Sequence, residues 1–169
     1  MSAVFQIVSR SSGKALAHST SPRISEARAT VAQSADFNVT PVIVQLTQND
    51  QDSTQMWVLT PQDSPEDFLI QPFGSPDLAI GVFESVQETD LPGSLLILGP
   101  SPIAQVWRIS RRIANPPYFF LLEASNDLLM DVLGGSTADQ EVIQIFTRTE
   151  HTNQQWTFLP VFAQLGSDG

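Results

Sequence analysis

Every tryptophan in the chain has a glutamine two positions before it: Gln55-Met-Trp57, Gln105-Val-Trp107 and Gln154-Gln-Trp156. The tryptophans stand 50 and 49 residues apart (57 to 107, then 107 to 156). A pattern at that period means one structural unit used three times, and such a repeat constrains the architecture before any element is assigned. Each motif is followed by a short tail: Val58-Leu59, Arg108-Ile109 and Thr157-Phe158-Leu159. Each is preceded by three apolar runs. Phe5-Gln-Ile-Val8, Phe68-Leu-Ile70 and Tyr118-Phe-Phe-Leu-Leu122 open the repeats. Ala15-Leu16-Ala17, Leu78-Ala79-Ile80 and Leu128-Leu129-Met130 come second, each after a turn sequence (Ser11-Ser-Gly13, Gly74-Ser-Pro76, Ser125-Asn-Asp127). Val42-Ile-Val44, Leu95-Leu-Ile-Leu98 and Val142-Ile-Gln-Ile145 come third.

Short runs rich in β-branched and aromatic residues, separated by Gly, Pro, Asn and Ser, read as strands. No segment carries a sustained 3.6-residue apolar period. Four strands in each of three repeats predict about twelve strands. They would form one all-β domain over residues 1–169, with repeats at about 1–62, 63–112 and 113–165. A single four-stranded repeat cannot bury its own apolar face. Three around a pseudo-threefold axis can, by closing a barrel that leaves few open sheet edges. Gln55, Trp57, Gln105, Trp107 and Trp156 are therefore read first as structure, the indoles filling a shared core and the amides tying down nearby backbone.

Composition excludes several functions. The formal net charge is −10, from 8 basic against 18 acidic residues, with Lys14 the only lysine. Nucleic-acid binding draws most of its affinity from phosphate neutralisation, so this balance argues against it, and equally against an anionic membrane surface. There is no cysteine, which excludes thiolate metal sites, thiol catalysis and disulfides. No apolar run approaches the roughly 18 residues of a membrane span, and the N-terminus does not read as a secretory signal. A cytoplasmic location is expected, with a processed mature form or a non-classical route of secretion left open.

Three Gln-x-Trp motifs at this spacing resemble the ricin-type (R-type, ricin B-chain-like) lectin family, and the lack of cysteine resembles its fungal members. The resemblance covers nearly the whole chain. It implies a β-trefoil fold and non-catalytic carbohydrate binding, with galactose-type or N-acetylgalactosamine-type glycans and glycoproteins as partners and no cofactor. It also implies where a sugar sits: an Asp at the end of a repeat's second strand, a Gln and an aromatic two apart on the third, and an Asn before the Gln-x-Trp. The third repeat carries the set as Asp131, Gln144, Phe146, Asn153 and Gln154. By resemblance, Asp131 accepts from two sugar hydroxyls, Asn153 donates to one, Phe146 stacks on the apolar sugar face, Gln144 reaches another hydroxyl and Gln154 braces the site from behind. Phe146 departs from the usual Trp or Tyr. Gly134-Gly135 permits a tight turn and close approach.

The other repeats lack the set. Repeat one is read with His18 at the Asp position, Val44 and Leu46 on the third strand and Thr54 for the Asn; repeat two has Gly81, Leu95 to Leu98 and Ala104. No site of the usual kind is expected in either, although one built around Phe73 or Phe83 stays open. Repeat one also carries an insertion, Ser19 to Ala35, read as a surface loop or as a contact for a partner protein. Nothing points to an enzyme: His18 and His151 have no metal set around them, and neither a phosphate-binding loop nor a nucleophile elbow is present. The alternative to a lectin is a protein-interaction module on the same fold, such as a protease inhibitor or an accessory subunit of an enzyme. A one-site lectin would have to form a homodimer to agglutinate.

Overall fold

Four strands form in each third of the chain. The computed structural model describes residues 3–23, 40–83, 93–100, 106–113 (the backbone alone at 111–113), 117–124 and 127–161. Gln105, Ala104 and residues 24–35 of the insertion lie outside these. The strands are β1 Phe5–Ser9, β2 Ala15–Ser19, β3 Val42–Leu46 and β4 Trp57–Pro61; β5 Asp67–Pro72, β6 Leu78–Val82, β7 Leu96–Pro100 and β8 Trp107–Ile113; and β9 Tyr118–Glu123, β10 Leu129–Val132, β11 Ile143–Phe146 and β12 Trp156–Pro160. All twelve pair antiparallel.

The first and last strands of the repeats close a ring of six. β1 pairs with β4 and β12, β4 with β5, β5 with β8, β8 with β9, and β9 with β12. Closure satisfies both edges of every ring strand, which open sheets leave unpaired. The middle strands form three hairpins, β2–β3, β6–β7 and β10–β11. These hairpins lock to one another in a cycle: Val42 opposite Ile97, Leu95 opposite Gln144, Val142 opposite Val44. The cycle makes Val44, Ile97 and Gln144 equivalent by position. Their hairpin partners Ala17, Gly81 and Asp131 are then equivalent too.

The core follows the same threefold rule. Trp57, Trp107 and Trp156 are fully buried, and each indole N–H donates to a carbonyl on its own repeat's second strand: Leu16 at 2.9 Å, Ile80 at 3.3 Å and Met130 at 3.1 Å. Leu16, Ile80 and Met130 are themselves buried, with Ile43, Leu96 and Ile143 packed among them. A smaller cluster of Ala17, Val42, Val44, Leu95 and Val142 sits where the hairpins meet, and Phe83 packs against it. Phe73 is exposed.

Removing one indole takes away its hydrogen bond and leaves a void the ring cannot collapse to fill. Trp57→Ala should cost about 3–5 kcal/mol, read as a fall in the urea midpoint, whereas Ile109→Ser on the exposed side of the barrel should change stability by less than about 0.5 kcal/mol.

Candidate functional site

The third repeat differs from the others at one cross-strand pair. Where repeat one has Ala17 opposite Val44 and repeat two has Gly81 opposite Ile97, repeat three has Asp131 opposite Gln144. Asp131 and Gln144 are each only 3% exposed. Burying two polar side chains at an apolar position is costly unless each satisfies the other. They do: the Gln144 amide donates to Asp131 Oδ1 at 3.0 Å. Gln154, fully buried, donates to Asp131 Oδ2 at 2.9 Å and to the Thr147 carbonyl at 2.9 Å, while its oxygen accepts from the backbone N–H of Thr149 and Glu150. Gln154 is thereby held in one orientation from both ends.

A carboxylate offers about four lone pairs. Gln144 and Gln154 take two, and Asn153 also reaches the carboxylate, which leaves acceptor capacity toward the solvent side. There a cavity of about 440 Å³ is lined by Asp131, Leu133, Gly134, Gly135, Gln144, Phe146, Thr149, His151 and Asn153. Phe146 is half-buried and forms its apolar wall. Gly134 and Gly135 take left-handed φ of 61° and 66°. A Cβ on either would meet nothing within 4 Å, so the requirement for glycine is conformational and the turn leaves its outer side open. The 3-10 turn Thr152–Gln154, just before β12, carries Asn153, whose amide donates to the Val132 carbonyl at 3.0 Å.

The structure thus brings Asp131, Gln144, Phe146, Asn153 and Gln154 together. Gln144 also braces Asp131, and Asn153 donates one amide hydrogen to the backbone, while both line the cavity. In repeat one the position equivalent to Asp131 is Ala17, one residue before His18, because Leu16 and Met130 are matched by their indole contacts. Val44, Leu46 and Thr54 do occupy the positions of Gln144, Phe146 and Asn153.

One residue escaped the sequence reading altogether. Gln45, fully buried, stands where the other repeats have core residues Leu98 and Ile145. Its amide donates to the carbonyls of Ser136 and Ala138, both at 2.9 Å, and its oxygen accepts from the Ser12 hydroxyl. Next to it, Asp139 accepts from the Thr47 N–H and from Lys14. The segment that follows Gly134-Gly135 is therefore latched onto repeat one. A signal was present: a glutamine in an otherwise apolar run at a core-facing parity.

Burial pushes the Asp131 carboxyl above the usual carboxylate value, against the lowering effect of bonds from Gln144, Gln154 and Asn153 and of nearby His151. A carboxyl whose pKa is raised on folding costs stability while ionised, and that cost fades as the pH falls through the raised value toward the unfolded one. Asp131→Asn should therefore be most favourable relative to wild type near pH 7 and lose that advantage toward about pH 4, as read from urea midpoints. A pH-independent difference would show an unperturbed carboxyl. Gln45→Leu should keep the fold yet release the Ser136 and Ala138 carbonyls, lowering stability by about 1–2 kcal/mol and accelerating amide exchange in residues 133–138.

No protein-family model and no curated protein matches the sequence. Solved structures do match its shape. The Macrolepiota procera ricin B-like lectin, solved in complex with lactose, superposes with a TM-score of 0.64 at 16% identity, over 92% of this chain and 93% of that one. A designed threefold-symmetric protein, ThreeFoil, gives 0.69 at 20% identity over 92% and 97%. The exo-β-1,3-galactanase of Clostridium thermocellum gives 0.72 at 24% identity over 94% of this chain but only 30% of that enzyme. The chain has the ricin B-like fold. The neighbours include carbohydrate-binding lectins, and among the described residues no helix is long and apolar enough to cross a membrane.

Proposed function

We propose that the chain is a β-trefoil lectin that binds galactose-type or N-acetylgalactosamine-type glycans in the cavity of its third repeat, without catalysis. The observation that carries this reading is the Asp131–Gln144 pair. The same position is Ala17–Val44 and Gly81–Ile97 in the other two repeats, so the barrel closes without a polar pair there. What the pair adds is a carboxylate, oriented by two amides and facing a cavity with an aromatic wall. A sugar needs that combination: a fixed acceptor for adjacent hydroxyls and a flat apolar surface for its C–H face. The raised Asp131 pKa fits as well, since a ligand hydroxyl donating to the carboxylate supplies a bond that burial withholds.

The reading without catalysis rests on the lining. Glycoside hydrolysis by its common route uses two carboxyl groups roughly 5–9.5 Å apart. Among the described residues this cavity is lined by one, and no group of three potential metal-binding side chains occurs.

The test is a glycan array with a lactose titration on wild type beside Asp131→Ala. Loss of the carboxylate should cost about 2–3 kcal/mol, a weakening of roughly 30- to 150-fold. Wild-type binding that disappears in the variant supports the third-repeat site. Binding that survives moves the site elsewhere on the chain. No binding to any glycan overturns the lectin reading, and a protein-interaction module then takes its place.

A further inference from the structure

The repeats are joined by one backbone contact used three times. Gln45, Leu98 and Ile145 hold equivalent places on the third strands. The N–H of each donates to a carbonyl of a neighbouring repeat: Glu141 at 3.0 Å, Pro41 at 2.8 Å and Ser94 at 3.0 Å. At two of these seams the side chain is apolar and sits in the core. At the third it is the buried Gln45 amide, which donates to the carbonyls of Ser136 and Ala138. The barrel closes at the other two seams without such bonds, so closure does not account for them.

The extra bonds fall on the segment that supplies a wall of the third-repeat cavity. The near end of that segment is tied within repeat three. The Leu133 N–H donates to the Val142 carbonyl at 3.3 Å, and the Asn153 amide to the Val132 carbonyl at 3.0 Å. Gly134 and Gly135 follow, both lining the cavity and both left-handed, with open space where a side chain would stand. Two successive glycines lose more freedom on ordering than any other pair. Repeat one takes hold directly after them, through Gln45 on Ser136 and Ala138. The Asp139 carboxylate then accepts from the Thr47 N–H at 2.7 Å and from Lys14 Nζ at 3.2 Å, and the Gln140 N–H donates to the Gln45 carbonyl at 2.9 Å. The Lys14–Asp139 pair is exposed at Asp139 and adds little by itself. Gln45 is buried, and the Ser12 hydroxyl on its oxygen at 2.8 Å aims its amide hydrogens at the two carbonyls.

We propose that Gln45 is a positioning residue for the third-repeat cavity: from repeat one it holds the Gly134–Gly135 wall in the arrangement that receives the ligand. Gln45 itself lies outside the cavity lining. The inference rests on the lectin reading of that cavity. A wall fixed beforehand removes the cost of ordering it when the ligand binds. If release leaves the wall in its binding arrangement about a tenth of the time, affinity falls about tenfold. The site then depends on two repeats, with the sugar contacts in repeat three and the wall set from repeat one.

Gln45→Leu gives this seam the kind of side chain the other two carry. It is compared with wild type and with Ile7→Val, a core change outside the latch that controls for lost stability. Affinity for lactose and for N-acetylgalactosamine is measured by calorimetric titration. Amide exchange of residues 133–138 is followed with and without saturating sugar. The expected result is affinity about tenfold weaker in Gln45→Leu and unchanged in Ile7→Val. Exchange at 133–138 should be faster in Gln45→Leu and should slow toward the wild-type rate when sugar saturates the site, because the ligand then orders the wall itself. Binding by Gln45→Leu as tight as wild type, or an equal loss in Ile7→Val, overturns the inference and leaves the lectin reading standing. If wild type binds neither sugar, nor any other glycan, the lectin reading falls and this inference with it.

Discussion

Each buried indole donates its N–H to the carbonyl of the residue just before one equivalent position on its repeat's second strand: Leu16 before Ala17, Ile80 before Gly81, Met130 before Asp131. One contact therefore does two things. It packs the largest side chain of the repeat into the shared core, and it sets the height of the second strand against the fourth. The side chain after that carbonyl points the other way, as alternation along a strand requires. In repeat three it is the carboxylate. The carboxylate is consequently placed by the buried core, while much of the cavity wall comes from turns.

The glutamine of each described Gln-x-Trp unit completes the arrangement. Gln55 and Gln154 each donate to a strand-end carbonyl and accept backbone N–H from the loop that follows it. In both repeats the remaining donor is aimed at a carboxylate, Asp52 in one and Asp131 in the other. A buried carboxylate is tolerable only with such partners. The motif that closes the barrel thus also makes a charged group at the cavity floor affordable.

The repeats, the strand count and the core indoles were legible in the sequence because periodicity and residue type report burial directly. The grouping of Asp131, Gln144, Phe146, Asn153 and Gln154 was implied by the resemblance to ricin-type lectins. The orientation of Gln144 was not, because an amide on a strand can serve a ligand or a neighbour, and only the hairpin register shows that Asp131 lies opposite. The placement of His18 slipped by one residue for a related reason. Apolar runs mark a strand but not its register, and a one-residue slip exchanges the two faces. Gln45 stands out as a glutamine in an apolar run, but its partners, Ser136 and Ala138, lie in another repeat, and no local pattern announces a contact across that distance.

We propose Asp131, held by Gln144 and Gln154, as the floor of a sugar site. A crystal structure with lactose bound tests it most directly. Such a structure should show density in the third-repeat cavity, two sugar hydroxyls within hydrogen-bond distance of the Asp131 carboxylate, and the apolar face of the ring against Phe146. Lactose bound with Asp131 still covered and uncontacted, or bound only at a surface remote from Phe146, would contradict it.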